Sequence, residues 1–146
     1  MNINDYCIDA GGHAELRRPL EAFMHDDIVS DDPEILRQLK LIERTAASNA
    51  PILIEGEKGT GKEMFAQYAF TRSSRADKRY IRFNSATIPR ERCGTELFGT
   101  GRAGAAAQAP ASVLRYADGG TLFLNDVDLL PADIQNRLAE TLSGHT

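Results

Sequence analysis

A glycine-rich turn between a short apolar run and an amphipathic segment constrains this chain more than any other feature. The turn reads Gly56-Glu57-Lys58-Gly59-Thr60-Gly61-Lys62 and follows the apolar residues Ile52-Leu53-Ile54. Glycines let a backbone curl until several N–H groups point inward, and the next helix adds its own N–H groups and positive dipole end. Lys62 supplies a charge for the terminal phosphates. The pattern predicts a buried strand, a phosphate-binding loop and a helix, whereas the alternative is a turn that merely connects strand to helix.

The rest of the chain predicts alternating helices and strands, which indicates a parallel α/β sheet. Apolar residues recur every three or four positions from about 33 to 48 and from 62 to about 71, so both segments are predicted to be helices. Pro89 and Pro131 each open a further helical stretch. Strands are predicted at Tyr80 to Asn84 and at Thr121-Leu122-Phe123-Leu124. In such sheets ligands bind at the carboxyl ends of the strands, where the glycine-rich turn, Asn125 and Asp126 are expected to meet.

Size and composition limit the classes of protein open to the chain. Its 146 residues suit one domain, and no run approaches the ~20 apolar residues of a transmembrane helix. The formal net charge of −4 argues against a nucleic-acid-binding module, so no direct DNA binding is expected. Cys7 and Cys93 form no metal-ligand pattern, and Met1 to Asp5 lacks the features of a signal peptide. A reduced, cytoplasmic setting is the simplest interpretation.

The charge is unevenly distributed along the chain. Residues 1–34 hold nine acids and two bases, whereas residues 35–146 hold twelve acids and fifteen bases. We therefore predict an acidic N-terminal extension over residues 1–29 and an α/β subdomain over residues 30–146. The extension is either a solvated segment or a docking or inhibitory one. The spacing of Leu16, Leu20, Phe23 and Met24 favours a short amphipathic helix within it.

Two further segments have open interpretations. Thr100 to Ala111 is rich in glycine and alanine and predicts a flexible loop with little side-chain chemistry. Basic residues cluster between the second helix and the third, either as a solvated surface or as a face for a partner; they are Arg72, Arg75, Lys78, Arg79, Arg82, Arg90 and Arg92.

Four motifs occur in order along residues 30–142. They are Gly56 through Glu63, Phe83-Asn84-Ser85-Ala86-Thr87-Ile88-Pro89, Glu96-Leu97-Phe98-Gly99, and Ala117-Asp118-Gly119-Gly120-Thr121-Leu122-Phe123-Leu124. Together they resemble the AAA+ domain of the bacterial sigma-54-dependent transcriptional activators, which also carry Glu after the loop lysine. The resemblance implies a P-loop NTPase of the AAA+ type, a parallel sheet with flanking helices. The chain stops at Thr146, so we expect it to lack the C-terminal helical lid, the sensor residue and the arginine fingers of that family.

The resemblance also implies a site for ATP and Mg²⁺. The phosphates of ATP would be held by Gly56, Glu57, Lys58, Gly59, Thr60, Gly61, Lys62 and Glu63. The family ends its last strand in Asp-Glu, which hold Mg²⁺ and activate the attacking water; this chain has Asn125 and Asp126 there. A hard cation prefers carboxylates, so Asn125 weakens the metal site, although a shifted register would let Asp126 serve it. Asn84 matches the asparagine that holds the catalytic carboxylate, here Asp126; the alternative is a strand-end asparagine bonded to the local backbone.

Three functions follow from the resemblance. The first is an ATP-binding regulatory domain whose isolated chain hydrolyses ATP weakly or not at all. The second is a working ATPase in which Asp126 is the base and missing parts come from the full protein or a neighbour. The third is a non-enzymatic protein that binds and modulates a full-length activator. The family contacts the RNA polymerase sigma factor through a GAFTGA signature, but this chain reads Thr100-Gly101-Arg102-Ala103-Gly104-Ala105-Ala106-Ala107-Gln108 at that place.

Overall fold

The computed structural model describes residues 28, 30–48, 50–99 and 112–144, together with the backbone of residues 6–8 and 14–16. The first two strands, β1 and β2, pair antiparallel with Tyr6 opposite Leu16. The elements in chain order are β1 (Tyr6–Ile8), β2 (Ala14–Leu16), α1 (Pro33–Ala46), α2 (Lys62–Thr71), β3 (Tyr80–Asn84), α3 (Arg90–Phe98), α4 (Val113–Tyr116), β4 (Thr121–Asn125) and α5 (Ala132–Ser143). Short 3-10 helices cover Ser85–Thr87 and Val127–Leu129.

The strands β3 and β4 lie side by side in parallel, in register from Tyr80 opposite Thr121 to Asn84 opposite Asn125. Successive side chains of a strand point to opposite faces, so each strand contributes to two surfaces. One face carries Ile81 and Phe83, which belong to the main apolar core. The other members of this core come from α3, α4, α5 and the turns that adjoin them, and include Cys93, Leu97, Val113, Ala117, Leu130 and Leu138. We call this the core face of the sheet.

The opposite face of the sheet packs against α2. The ring of Tyr80 lies 4.7 Å from the ring of Phe70 and 6.3 Å from that of Phe123, measured between centroids. The helix α1 packs in turn on α2, because Ile42 and Ala46 form a second apolar cluster with Ala69. Two helical layers therefore flank the sheet, which confirms the predicted α/β arrangement.

The start of α1 follows the capping chemistry in its sequence. Asp32 precedes the helix, and its Oδ1 accepts a hydrogen bond of 2.8 Å from the backbone N–H of Glu34. Pro33 occupies the first turn, where its missing N–H costs nothing. The helix ends at Ala46, slightly before the predicted end near residue 48.

The predicted strand at Ile52-Leu53-Ile54 is wrong. Residues 50–57 have no regular secondary structure, and the relative exposure of Leu53 is 71%. A strand is stabilised by hydrogen bonds to a neighbour, and among the described residues no strand pairs with this run. Apolar composition alone therefore did not determine its structure.

Of the four residues predicted to form an amphipathic helix in the N-terminal extension, the structure describes the backbone of one. Leu16 lies in β2 and not in a helix, while the other residues proposed for an amphipathic helix, and the loop from 100 to 111, lie outside the described residues. The division into residues 1–29 and 30–146 stays a prediction. Within the described ranges, no helix is long and apolar enough to cross a membrane.

Candidate functional site

The glycine-rich turn adopts a conformation that its glycines make possible. Gly59 and Gly61 have φ angles of 84° and 85°, in the left-handed region where a side chain would be strained. The hydroxyl of Thr60 donates a hydrogen bond of 2.8 Å to the backbone carbonyl of Glu57 and so closes the turn. The helix α2 begins immediately afterwards at Lys62, with N-terminal N–H groups that have no acceptor within the helix. This combination is typical of an anion site.

The turn itself orients the ammonium group of Lys62. The Nζ atom donates to the carbonyl oxygen of Gly56 at 2.8 Å and to that of Glu57 at 2.7 Å. An ammonium group has three N–H donors, so one remains beyond these two contacts for a phosphate oxygen. The two carbonyl contacts fix a flexible side chain before any ligand arrives, which reduces the entropy lost on binding.

Glu63 is directed towards the sheet. Its carboxylate forms an ion pair with the guanidinium of Arg82 on β3, and both side chains are nearly half exposed. The buried phenol of Tyr80 lies close to this pair. Burial raises the pKa of Tyr80 above its ordinary value; the charge of Glu63 raises it further, while that of Arg82 lowers it.

The contacts of α2 also fix its direction relative to β3. Phe70, near the end of α2, packs on Tyr80 at the start of β3, whereas Glu63 at the start of α2 reaches Arg82 further along the strand. The helix therefore runs antiparallel to the strand. The N-terminal end of α2, with Lys62, lies towards the carboxyl ends of the strands, as the sequence predicted.

The strand ends place two asparagines side by side. Asn84 and Asn125 are opposite one another in the register of β3 and β4. The Oδ1 of Asn84 accepts a hydrogen bond of 3.0 Å from the backbone N–H of Ala86 and caps the following 3-10 helix. Asn84 thus makes the local backbone contact of the alternative interpretation, while its predicted hold on Asp126 stays a prediction.

Asp126 has an unusual backbone. Its φ and ψ angles are 53° and 49°, and among the described residues it is the one non-glycine with positive φ. Aspartate tolerates this conformation better than most side chains, yet it retains a cost of about 1 kcal/mol. The Oδ2 of Asp126 accepts a hydrogen bond of 3.3 Å from the amide of Asn125. The two residues proposed for Mg²⁺ are thus in contact and offer one carboxylate between them.

The chemistry of these residues suits a polyphosphate better than a free cation. The described residues hold no group of three or more His, Cys, Asp or Glu side chains placed to bind a metal ion. Mg²⁺ is usually held by one or two carboxylates together with phosphate oxygens and waters. A cation here would therefore need phosphate oxygens from a ligand to complete its coordination.

Six of the seven basic residues of the cluster contact a partner within the described part of the chain. The Arg72 and Arg79 guanidiniums lie over aromatic rings, at 5.1 Å from the Tyr68 centroid and 5.0 Å from the Tyr116 centroid. The other local contacts are Arg75 with the Gly120 carbonyl, Lys78 with Asp77, Arg82 with Glu63, and Arg92 with Glu96. These pairings favour a structural and solvated role for the cluster. The contact of Arg82 with Glu63 was not predicted, although the position of Arg82 two residues before Asn84 puts it on the side of the strand that faces α2.

A cavity of about 610 Å³ lies between α3 and α5 and contains none of the predicted site residues. Its lining includes Arg90, Glu91, Asp133 and Arg137. Because cations and anions are balanced there, the lining favours neither a phosphate nor a cation. The candidate site is therefore the glycine-rich turn, where the N-terminal end of α2 and the Lys62 ammonium favour an anion.

Comparison with known proteins agrees with this geometry. The family model of the sigma-54 interaction domain matches residues 28–146. The chain is 37% identical over 119 residues to the DNA-binding transcriptional regulator NtrC of Klebsiella pneumoniae, covering 80% of this chain and 25% of that protein. It is 35% identical over 130 residues to the Nif-specific regulatory protein of Rhodobacter capsulatus, covering 88% of this chain and 22% of that protein. The chain thus spans about a quarter of the length of these relatives.

Solved structures show the same fold. NtrX from Brucella abortus in complex with ADP superposes with a TM-score of 0.69 at 32% identity, over 82% of this chain and 26% of that one. The same protein in complex with ATP gives a TM-score of 0.66 at 34% identity, over 84% of this chain and 27% of that one. The parallel sheet and its flanking helices have the fold of an AAA+ P-loop NTPase. The chain therefore belongs to the sigma-54 interaction domain family.

Proposed function

We propose that this chain is an ATP-binding regulatory domain of sigma-54-dependent activators, with weak or absent hydrolysis on its own. The observation that carries the proposal is the ammonium of Lys62, held by two loop carbonyls at the N-terminal end of α2. Solved complexes of NtrX with ADP and with ATP support the choice of nucleotide. Backbone N–H groups of Gly59, Thr60 and Gly61 and the third N–H of Lys62 bind the phosphates, and Gly56, Glu57, Lys58 and Glu63 complete the loop.

The residues at the strand ends explain why hydrolysis would be weak. Water attacks the γ-phosphorus, the bond to the β-phosphate oxygen breaks, and a base takes the proton of the water. Asp126 is the carboxylate available for this step, and its side chain is already hydrogen bonded to Asn125. Mg²⁺, when bound, would neutralise charge on the phosphates. Asn125 offers it an amide oxygen where a carboxylate would bind more strongly.

Binding is tested by thermal unfolding in the presence of ATP. A ligand at a hundred times its Kd stabilises the folded state by about 2.7 kcal/mol. We expect ATP to raise the Tm, Lys62→Ala to abolish the rise, and Lys40→Ala, which removes an exposed lysine of α1, to preserve it. If millimolar ATP leaves the Tm of the unchanged protein where it was, the proposal is wrong.

Hydrolysis is tested by restoring the missing carboxylate. Asn125→Asp should increase phosphate release, because it adds a negative charge beside Asp126 for the metal ion. Asn136→Asp adds the same charge on the exposed side of α5 and is the matched control. Equal rates for both variants would show that the strand end does not limit the reaction.

A second function is modulation of a full-length activator. One pattern favours it: the phosphate loop is intact, whereas the departures fall on Asn125 and on the segment from Thr100 to Gln108. The resemblance assigns those two regions to hydrolysis and to the sigma factor. Mixing the chain with a full-length relative and measuring the rate of ATP hydrolysis of the mixture tests this idea. A rate equal to that of the relative alone would contradict it.

A further inference from the structure

We propose that Arg82 is a positioning residue for the nucleotide site, whose guanidinium neutralises Glu63 so that the loop can accept a polyphosphate. The proposal rests on the proposed binding of ATP. It assigns a role in that site to a strand residue outside the glycine-rich turn.

The loop has an electrostatic problem that its own residues do not solve. Residues 55 to 63 contain three glutamates and two lysines, so the segment that must bind an anion has a formal charge of −1. Glu63 is the most serious case, because it lies in the first turn of α2 beside Lys62. A carboxylate there competes with phosphate for the positive end of the helix.

Arg82 lies where it can correct this charge. It is an exposed residue of β3, and its side chain crosses from the sheet to the start of α2 to pair with Glu63. With Arg82 included, the formal charge around the loop is zero. The ion pair also directs the Glu63 carboxylate towards the sheet.

The packing beneath the pair keeps the strand and the helix at a fixed distance. Tyr80 precedes Arg82 on the same face, is 7% exposed, and packs against Phe70 of α2. A half-exposed ion pair contributes little to folding, so stability alone does not account for the arrangement. Its effect should therefore be seen in the affinity for an anionic ligand.

A double-mutant cycle on ATP affinity tests the proposal. We expect Arg82→Ala to weaken ATP binding about tenfold, the effect of exposing one unpaired charge near the phosphates in a solvated site. Glu63→Gln removes the competing carboxylate and should bind ATP more tightly than the unchanged protein. In the Glu63→Gln background, Arg82→Ala should change the affinity by less than about twofold. Lys78→Ala, which removes another exposed ion-paired cation, is the matched control and should have no effect.

Two further readouts separate electrostatics from structure. The loss of affinity caused by Arg82→Ala should be smaller for AMP than for ATP, because AMP carries fewer negative charges. It should also shrink at high salt, because dissolved ions screen the interaction. Arg82→Lys retains the charge and should retain affinity. Thermal unfolding without nucleotide establishes that each variant is folded.

The outcomes are distinguishable. If Arg82→Ala weakens ATP equally in both backgrounds, Arg82 contacts the phosphates directly and the proposed role is wrong. If it has no effect on ATP binding, the role is also wrong. If the unchanged protein does not bind ATP, or Lys62→Ala binds it normally, the proposed function itself fails and this proposal falls with it.

Discussion

The core face of the sheet and the glycine-rich turn are stabilised by different means. On the core face, Phe83 and Leu97 are 3% and 0% exposed and belong to one continuous apolar cluster. In the turn, residues 55–60 are exposed, and their conformation depends on hydrogen bonds from Thr60 and Lys62 to nearby carbonyls. The difference indicates that substitutions in the first region should act mainly on folding, whereas those in the second should act mainly on binding.

A matched pair of leucines gives the largest expected contrast. Leu97→Ala removes a fully buried side chain and should lower the free energy of unfolding by about 3–5 kcal/mol. Leu53→Ala removes a side chain that is 71% exposed and should change it by less than about 0.5 kcal/mol. Urea denaturation of both variants measures the difference. A large cost for Leu53→Ala would mean that residues 52–54 are buried in solution, as the sequence had suggested.

Two glycines extend the comparison to the backbone. A Cβ on Gly120 would lie 2.5 Å from the carbonyl oxygen of Arg79, which accepts the hydrogen bond of Thr121 at the start of β4. Gly120→Ala should therefore destabilise the protein by about 2–3 kcal/mol. At Gly59 a Cβ would meet no atom within 4 Å, so Gly59→Ala costs only the strain of its positive φ, about 1 kcal/mol.

Nucleotide affinity completes that test. Gly59→Ala should cost more in the free energy of ATP binding than in the free energy of unfolding, because the strained residue lies where the glycine-rich turn must fit around the phosphates. Folded Gly120→Ala protein should bind ATP with unchanged affinity. A larger loss of ATP affinity in Gly120→Ala than in Gly59→Ala would show that the two regions do not act separately on folding and on binding.

The sequence was most informative where structure depends on local pattern. The bounds of β3 and α2 were predicted well, because alternation in one case and a glycine turn in the other specify them within a few residues. The strand at 52–54 failed because a strand requires a neighbour, and pairing is not a local property. Asn84 was ambiguous because a strand-end asparagine can cap the next turn or bind a distant carboxylate. The pairing of Arg82 with Glu63 joins two elements and has no local signature.

Tyr80 lies at the boundary between the sheet and α2. Its substitution by Phe has the smallest expected effect on the free energy of unfolding at neutral pH, and that effect is specific to one hydroxyl group. Its hydroxyl is buried and has no hydrogen-bond partner among the described residues. Removing such a group leaves no new unsatisfied atom and relieves its desolvation cost, so Tyr80→Phe should leave the free energy of unfolding unchanged or slightly raised at pH 7. Tyr68→Phe is the control, since its hydroxyl donates to Glu43 at 2.5 Å and its loss should destabilise slightly.

The difference should appear at alkaline pH. Burial raises the pKa of Tyr80, so the folded state keeps its proton after the unfolded chain has begun to lose it near pH ~10. The unfolded state then binds fewer protons, and stability falls as the pH rises, by up to about 1.4 kcal/mol per pH unit for one group. Tyr80→Phe removes this contribution and should flatten the decline. An identical decline in both proteins would show that the phenol of Tyr80 is accessible to solvent. In that case α2 would not cover its face of the sheet as α3, α4 and α5 cover the core face.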